Sequence, residues 1–400
     1  MIRLLLCISL SGVLASPGCL SGTGEGGPVS DAGNDPSTYR LAVGVSLLKQ
    51  VYLPRLERMV ELTTALETEA QTQKQARLDG GEVNFAPLRA AWLAVMEKWQ
   101  ELEVMHIGPA ASSATRKGGE DLGDNLYSWP LTNSCRVDQV LVSGIYAEEG
   151  FKQRVLVNVF GLDALEELLF RDGDFHTCPP QLAIESEGQW EGLGADGRMN
   201  NKIAYVHVLA TELRQDAQTL LNRWSSNGDN FIAQAESPGG DSVFSSPQCL
   251  LNELFAAVFH LDLITKDKRL AGPTGISPDC TSATCPNLLE FQRAPVSGLA
   301  VQGNLRGIAA LFSGEDGDGL DALLRQEGAD ALADQLKTAI DEALDMARSL
   351  EVDWSLLLTN DPQALQTLHA KVKAVTDLLK TQFVSVLNLS VPQEGAADND

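Results

Sequence analysis

A chain of 400 residues that is 44% hydrophobic can bury a substantial core, which excludes a disordered or fibrous protein. Its 54 acidic residues against 30 basic ones leave a formal charge of −24, which argues against binding nucleic acid or an anionic membrane through a general positive field. The charge is compatible with a cation-rich partner or with simple solubility.

From the N-terminus, Arg3 supplies a positive start, and Leu4 to Leu14 form an apolar run of secretory length, too short to span a bilayer. Ser16-Pro17-Gly18-Cys19 follows, with a small residue directly before a cysteine, as in a bacterial lipoprotein signal. It departs from that pattern in carrying Ser16 and Pro17 where an aliphatic and then a small residue are usual. Residues 1–18 are therefore expected to be a signal peptide, Cys19 the lipidated residue, and 19–37 a Gly-, Ser- and Asp-rich flexible tether. This predicts an exported lipoprotein, held by its lipid in the periplasm or at the outer membrane of a bacterium. No later stretch is apolar enough to cross a membrane.

The remaining apolar spacing is helical. Tyr39 to Gln73 carries Leu41, Val45, Leu48, Tyr52, Leu56, Met59 and Leu66 at steps of three, four or seven, with Pro54 expected to kink or end its first part. Phe85 to His106 repeats the pattern through Leu88, Trp92, Val95, Trp99 and Leu102, and Gly108-Pro109 stops it. Residues 112–125 read as a loop. Phe151 to Phe170 is the next helix, 171–197 a polar stretch, and Asn200 to Trp224 a long helix. Residues 225–246 read as a linker between halves. Pro247 to Ile264, Gly298 to Phe312, Gly319 to Leu350 (broken near Gly328) and Pro362 to Leu387 complete the pattern. No strand is expected. The fold class is all-α: two packed helical bundles, 38–230 and 246–392, compatible with an internal duplication, and then an acidic tail at 393–400.

Export permits disulfides. Cys280 and Cys285 bracket a short polar loop, and Cys135 and Cys178 both sit in loop-like, Pro-flanked contexts, which leaves Cys249 over; spacing alone does not determine connectivity. There is no Cys-x-x-Cys, no His-Glu-x-x-His, no Gly-x-Ser-x-Gly and no phosphate-cradling loop. Gly192 to Gly197 matches Gly-x-Gly-x-x-Gly but follows an acidic loop rather than an apolar strand, so it is not a dinucleotide site. Asp316 to Gly319 lacks the ligands of a calcium loop, and Asp318 is better placed as a helix N-cap. Asp163 and Glu166, three apart on a helix, could hold a hard cation or share a proton; a solvated face is the ordinary alternative.

Several segments, taken in order, resemble the imelysin family, also called peptidase family M75. Leu88-Arg89-Ala90-Ala91-Trp92 with Trp99, Glu103, Gly108 and Pro109 resembles its first helix and turn, and Ser128-Trp129-Pro130 its next segment. Gly161-Leu162-Asp163-Ala164-Leu165-Glu166, trailed by Leu168-Leu169-Phe170, resembles its Gly-x-His-x-x-Glu block. Asn252 to Phe255, Pro273-Thr274-Gly275, Glu290 to Ser297 and Asn304-Leu305-Arg306-Gly307 resemble its second half. The resemblance implies two helical bundles with a groove between them, export, and a link to iron uptake. It implies a metal or active site at Gly-x-His-x-x-Glu. Gly161 and Glu166 match that block, whereas Asp163 stands where the family has His. Oxygen ligation by Asp would favour a hard cation such as Fe³⁺ or Ca²⁺. Glu103 and Glu290 are further candidate ligands, and His106 is a stand-in imidazole or a histidine meeting a helix C-terminus. The resulting expectation is an imelysin-like lipoprotein that binds a metal ion, iron first, or an iron-uptake partner, through Glu103, Asp163, Glu166 and Glu290. A metal-dependent peptidase and a metal-free scaffold for a protein or peptide are the alternatives, and the missing histidine weighs against an enzyme.

Overall fold

The computed structural model describes residues 36–350 and 353–392. The expected signal peptide, Cys19, most of the tether and the acidic tail lie outside the described residues. Among those described there is no strand, and the architecture is all-α. No helix among the described residues is long and apolar enough to cross a membrane.

The longer helices are α1 (Pro36–Ser46), α2 (Leu53–Leu78), α3 (Phe85–Leu102), α4 (Ser134–Ser143), α5 (Gly161–Phe170), α6 (Gln189–Trp224), α7 (Pro247–Val258), α8 (Ser297–Ser313), α9 (Asp330–Ser349) and α10 (Pro362–Leu378). Helix α3 is central and packs on α2, α5 and α8. Helices α2 and α6 pack along each other, α1 packs on α7, and α8, α9 and α10 pack in sequence. Helices from both sides of residues 225–246 thus share one connected apolar core. That segment, expected as a linker, sends Phe244 and Ile232 into the core, because aromatic and aliphatic side chains there outweigh the surrounding Gly and Ser.

Pro54 does not end the first helix. A π-helical turn, Leu47–Tyr52, precedes it, with the Leu53 N–H reaching back to the Leu48 carbonyl. The wider turn accommodates a residue without an N–H, and the Arg55 side chain donates to the Val51 carbonyl at 2.9 Å. The single helix expected over 151–170 is instead Phe151–Arg154, a 3₁₀ turn at Val157–Val159, and α5. The break spans 155–160, and α5 restarts at Gly161, whose φ of +84° suits glycine and whose Cβ would stand 2.8 Å from the Leu126 carbonyl oxygen. Cys135, read as a loop residue, lies in the first turn of α4, which Asn133 caps by accepting from the Arg136 N–H at 3.0 Å. Cys135 is joined to Cys178 and Cys280 to Cys285. Cys249 lies buried in the first turn of α7. Helix α6 begins earlier than expected and changes direction at Gly194 (φ +64°), which puts the Gly192–Gly197 motif inside a bent helix. Asp318 is not the cap of the helix Leu320–Gln326; that position is Gly319, and Asp318 accepts from the Tyr39 hydroxyl at 3.3 Å.

A second π-helical segment, Leu261–Ala271, follows α7, and the Gly272 N–H bonds the Asp267 carbonyl five residues back. Its register turns Asp262, Lys266 and Arg269 into the interior, where all three are buried.

Candidate functional site

Two tryptophans of α3 tie the site together. Trp92 donates its indole N–H to the Leu162 carbonyl at 2.8 Å, anchoring the start of α5. One heptad on, Trp99 donates to Glu103 Oε1 at 3.2 Å. Glu103 lies in a 3₁₀ turn at the end of α3. Helix α8 reaches it because Gly303 and Gly307 have no side chains: a Cβ would stand 2.4 Å from Gln100 Cβ at Gly303, and 2.4 Å from the Glu101 carbonyl oxygen at Gly307. The Asn304 amide between them donates to the Gln100 carbonyl at 2.7 Å and to Glu103 Oε2 at 3.3 Å. The Asn-Leu-Arg-Gly segment is therefore a close-packing device carrying one hydrogen-bonding side chain.

Arg269 of the π-helical segment, which sequence reasoning missed, is the centre of this layer. Its Nη1 lies 2.9 Å from Glu103 Oε2 and donates to Asn304 Oδ1 at 2.6 Å. Its Nη2 donates to Glu290 Oε1 at 2.7 Å, with Nε 2.5 Å from Glu290 Oε2. The guanidinium lies 5.4 Å from the Trp129 ring centroid. Glu290 Oε1 also accepts from the Tyr127 hydroxyl at 2.7 Å and from Gln100 Nε2 at 3.1 Å. Burial alone would raise Glu103, but Arg269 and then His260 overrule it and hold the carboxylate well below its usual range. Glu290 is pushed the other way: burial and the Glu103 charge outweigh Arg269, because one guanidinium faces two carboxylates. Burial and Arg269 lower His260, and in its neutral form Nε2 accepts from Arg269 Nη1 at 3.2 Å.

Asp163 and Glu166 occupy a different setting. The Gly161 turn starts α5 so that both lie on its buried face, and the alternative of a solvated pair fails. Asp163 Oδ2 accepts from the Ser128 and Thr132 hydroxyls, each at 2.5 Å, while Oδ1 is buried with no hydrogen-bond partner. Glu166 Oε1 accepts from the backbone N–H groups of Arg293 and Ala294 at 2.8 and 2.9 Å. No cationic side chain pairs with either among the described residues. Burial pushes Asp163 up to about 6, against the two hydroxyls. It pushes Glu166 up to about 8, against the two backbone N–H groups. The neighbouring Glu167 differs again: Arg171 donates to it at 2.8 Å, Arg293 Nε at 3.1 Å and Ser134 at 2.6 Å.

Asp163, Glu166, Glu167 and Glu290 all line a cleft of about 530 Å³, walled by Tyr127, Trp129 and the 287–293 segment. Glu103 does not line it. The four carboxylates named from sequence thus fall into an Arg269-bound pair, Glu103 and Glu290, and a cation-free pair, Asp163 and Glu166. Among the described residues, no three His, Cys, Asp or Glu side chains gather closely enough to hold a metal ion by themselves. His106 is buried beside Trp99, ring centroids 5.0 Å apart, with Nε2 unpartnered, and burial lowers it to about 4. It is a core imidazole packed under Glu103, and no contact links it to Asp163. Ser128 and Thr132 bind Asp163 from the segment that contains Ser128-Trp129-Pro130; the hydroxyls beside that signature were the available signal. Arg269 had none, since Lys266-Asp267-Lys268-Arg269 reads as a solvated charge run.

The imelysin model of peptidase family M75 matches residues 52–382. Iron-regulated protein A of Synechococcus elongatus is 21% identical over 349 residues, covering 84% of each chain. The crystal structure of an imelysin-like protein from Psychrobacter arcticum 273-4 superposes with a TM-score of 0.65 at 19% identity, covering 89% of this chain and 96% of that one. A crystal structure of a protein from Parabacteroides distasonis gives 0.64 at 17% identity, covering 89% and 98%. These two share the fold. With the family match running over most of its length, this chain belongs to the imelysin family.

Proposed function

We propose that this protein is an exported, lipid-anchored imelysin that captures iron, as the ion or in a small chelate, in the cleft over Asp163 and Glu166. One observation carries the reading: two carboxyl groups without cationic partners line a cleft of about 530 Å³, and one of them has a buried oxygen, Asp163 Oδ1, that accepts no hydrogen bond. Burial favours the protonated form of Glu166 near neutral pH, and that of Asp163 only below about pH 6, so an arriving hard cation meets a carboxylate and a displaceable proton instead of breaking ion pairs. Oxygen donors suit Fe³⁺. The name of the Synechococcus relative supports iron as the cargo. Two carboxylates do not complete a coordination sphere, and the cleft is far roomier than a bare ion needs; water or a chelator supplies the other donors.

Hydrolysis has less support. A zinc hydrolase surrounds an open position with three protein ligands, and no such trio gathers among the described residues. Glu103 and Glu290 are engaged by Arg269 and are poorly placed as a general base.

The test is a thermal-shift titration of the full chain with Fe³⁺, Zn²⁺ and Ca²⁺, with and without citrate, alongside Glu166→Gln. The amide oxygen still accepts from Arg293 and Ala294, so the fold is retained while the ionisable group is lost. A saturable rise with Fe³⁺ that Glu166→Gln abolishes is the expected result. No shift with any ion or chelate would leave a metal-free scaffold. Chelator-sensitive cleavage of an unfolded substrate would restore the peptidase reading.

A further inference from the structure

A second pocket, of about 220 Å³, lies on the other side of Glu167, which lines both cavities. Its walls include Phe175, Trp190, Arg171, Arg198 and Lys202. The acids here are already engaged. Asp138 pairs with Arg171 and accepts from the Thr177 N–H and hydroxyl, each at 2.8 Å. Glu167 is held by Arg171 and Arg293, and Asp174 by Arg198. Lys202 is different. It stands 4.8 Å from the Phe85 ring centroid and forms no ion pair among the described residues, in a chain with nearly two acids for every base. Arg89 flanks the same ring at 5.9 Å and likewise has no acidic partner among them. Arg171, more than nine-tenths buried, keeps its Nε without a hydrogen-bond acceptor.

The pocket is also rigidly framed. The Cys135–Cys178 disulfide ties the segment carrying Asp174 and Phe175 to α4. Arg198 lies 5.3 Å from the Trp190 ring centroid and donates to the Trp190 carbonyl at 2.8 Å, bracing the bend of α6. Aromatic walls beside an ammonium with no ion-pair partner among the described residues and an unfilled guanidinium N–H match one ligand chemistry: a flat apolar body bearing a carboxylate.

We propose that this pocket binds a small aromatic carboxylate, with Lys202 as its counter-ion and Trp190 and Phe175 as its walls. Burial, then Arg171 and Arg89, lower the Lys202 ammonium to about 8, against Asp174 and Asp172, so a bound carboxylate supplies the stabilisation that the protein withholds. The site does not depend on metal capture in the neighbouring cleft.

Isothermal titration of the full chain in detergent at pH 7, with benzoate as the probe and acetate and inorganic phosphate beside it, tests the assignment. Benzoate should saturate, Lys202→Gln should weaken it by about tenfold, and Lys202→Arg should retain most of the affinity. Lys202 should also react readily with acetic anhydride at pH 8 and be protected by benzoate, which peptide mass mapping reads on the unmutated protein. Absence of saturable benzoate binding, binding unaffected by Lys202→Gln, or unprotected Lys202 would each overturn the proposal. Phosphate binding more tightly than benzoate would overturn the aromatic-carboxylate assignment.

Discussion

Glu103 and Glu290 lie in the same fold as Asp163 and Glu166, and all four are more than nine-tenths buried. The first pair surrounds Arg269, hydrogen-bonded on several sides by Asn304, Gln100, Tyr127 and Trp99. The second pair meets only hydroxyl and backbone donors and lines an open cleft. Burial favours the neutral acid in both places, and the Arg269 guanidinium reverses this at Glu103 but not at Glu290. The comparison teaches that a buried carboxyl group reveals little by itself: one pair is tied to Arg269, and the other has no cationic partner among the described residues.

The largest effect should come from breaking the Arg269 layer. Arg269→Met strands two buried carboxylates and should cost about 3–5 kcal/mol in urea unfolding, part of it recovered by adding Glu290→Gln. An unchanged midpoint would show that the layer contributes nothing to stability.

The pH dependence sharpens the contrast. Glu166 is raised in the folded state from its ordinary 4.5 to about 8, so the folded protein holds this proton more tightly than the unfolded chain does. Its contribution is fully present below pH 4.5 and is lost as pH rises toward 8, on the order of 5 kcal/mol in all. Stability of the unmutated protein relative to Glu166→Gln, measured by urea unfolding from about pH 5 to about 8.5, should therefore fall with pH. A difference that rises with pH would place a cation beside Glu166. Asp163 adds the same sign over a lower window, ending near pH 6.

A smaller effect separates scaffold from cleft. Gly303→Ala forces a Cβ against Gln100 where α8 meets α3, and overpacking of this kind costs about 1–3 kcal/mol by thermal or urea unfolding. It should leave Fe³⁺ binding in the cleft unchanged, since Asp163 and Glu166 sit on α5. Loss of binding without loss of stability would mean that the two regions are coupled. The smallest change is Asp163→Asn, whose oxygen still accepts from Ser128 and Thr132. Below about pH 5 it should shift stability by less than about 1 kcal/mol, while still weakening the capture of Fe³⁺. A shift of several kcal/mol there would show that Asp163 is ionised in the fold.

Much of the site was legible in the residues alone. Gly161, Asp163 and Glu166 are separated by short intervals on one helix, and Glu103 follows the heptad of Trp92 and Trp99. Helical geometry by itself converts that spacing into a shared face. Their burial was not legible, because paired acids on a helix usually face water. The loop reading at Cys135 failed because its flanking polar residues serve as a cap and first turn, with Asn133 supplying the capping oxygen. The break inside 151–170 was missed because the apolar period runs unbroken through Gly161; the positive φ there follows from how closely Leu126 approaches.

The sequence by itself determined the helical class, since apolar residues at steps of three and four can bury themselves in no other regular structure. It also carried the order of segments that marks the family, and the substitution of Asp for His at position 163. Tertiary structure alone decided which acids are neutralised. Arg269 lies 21 residues from Glu290 and far from Glu103 along the chain, within a run of charges that looks like surface. Only the i→i−5 register of the segment from Leu261 to Ala271, packed against α10 and α8, turns it inward to meet both. Charge pairing across a core depends on where elements cross, and local spacing carries no record of those crossings.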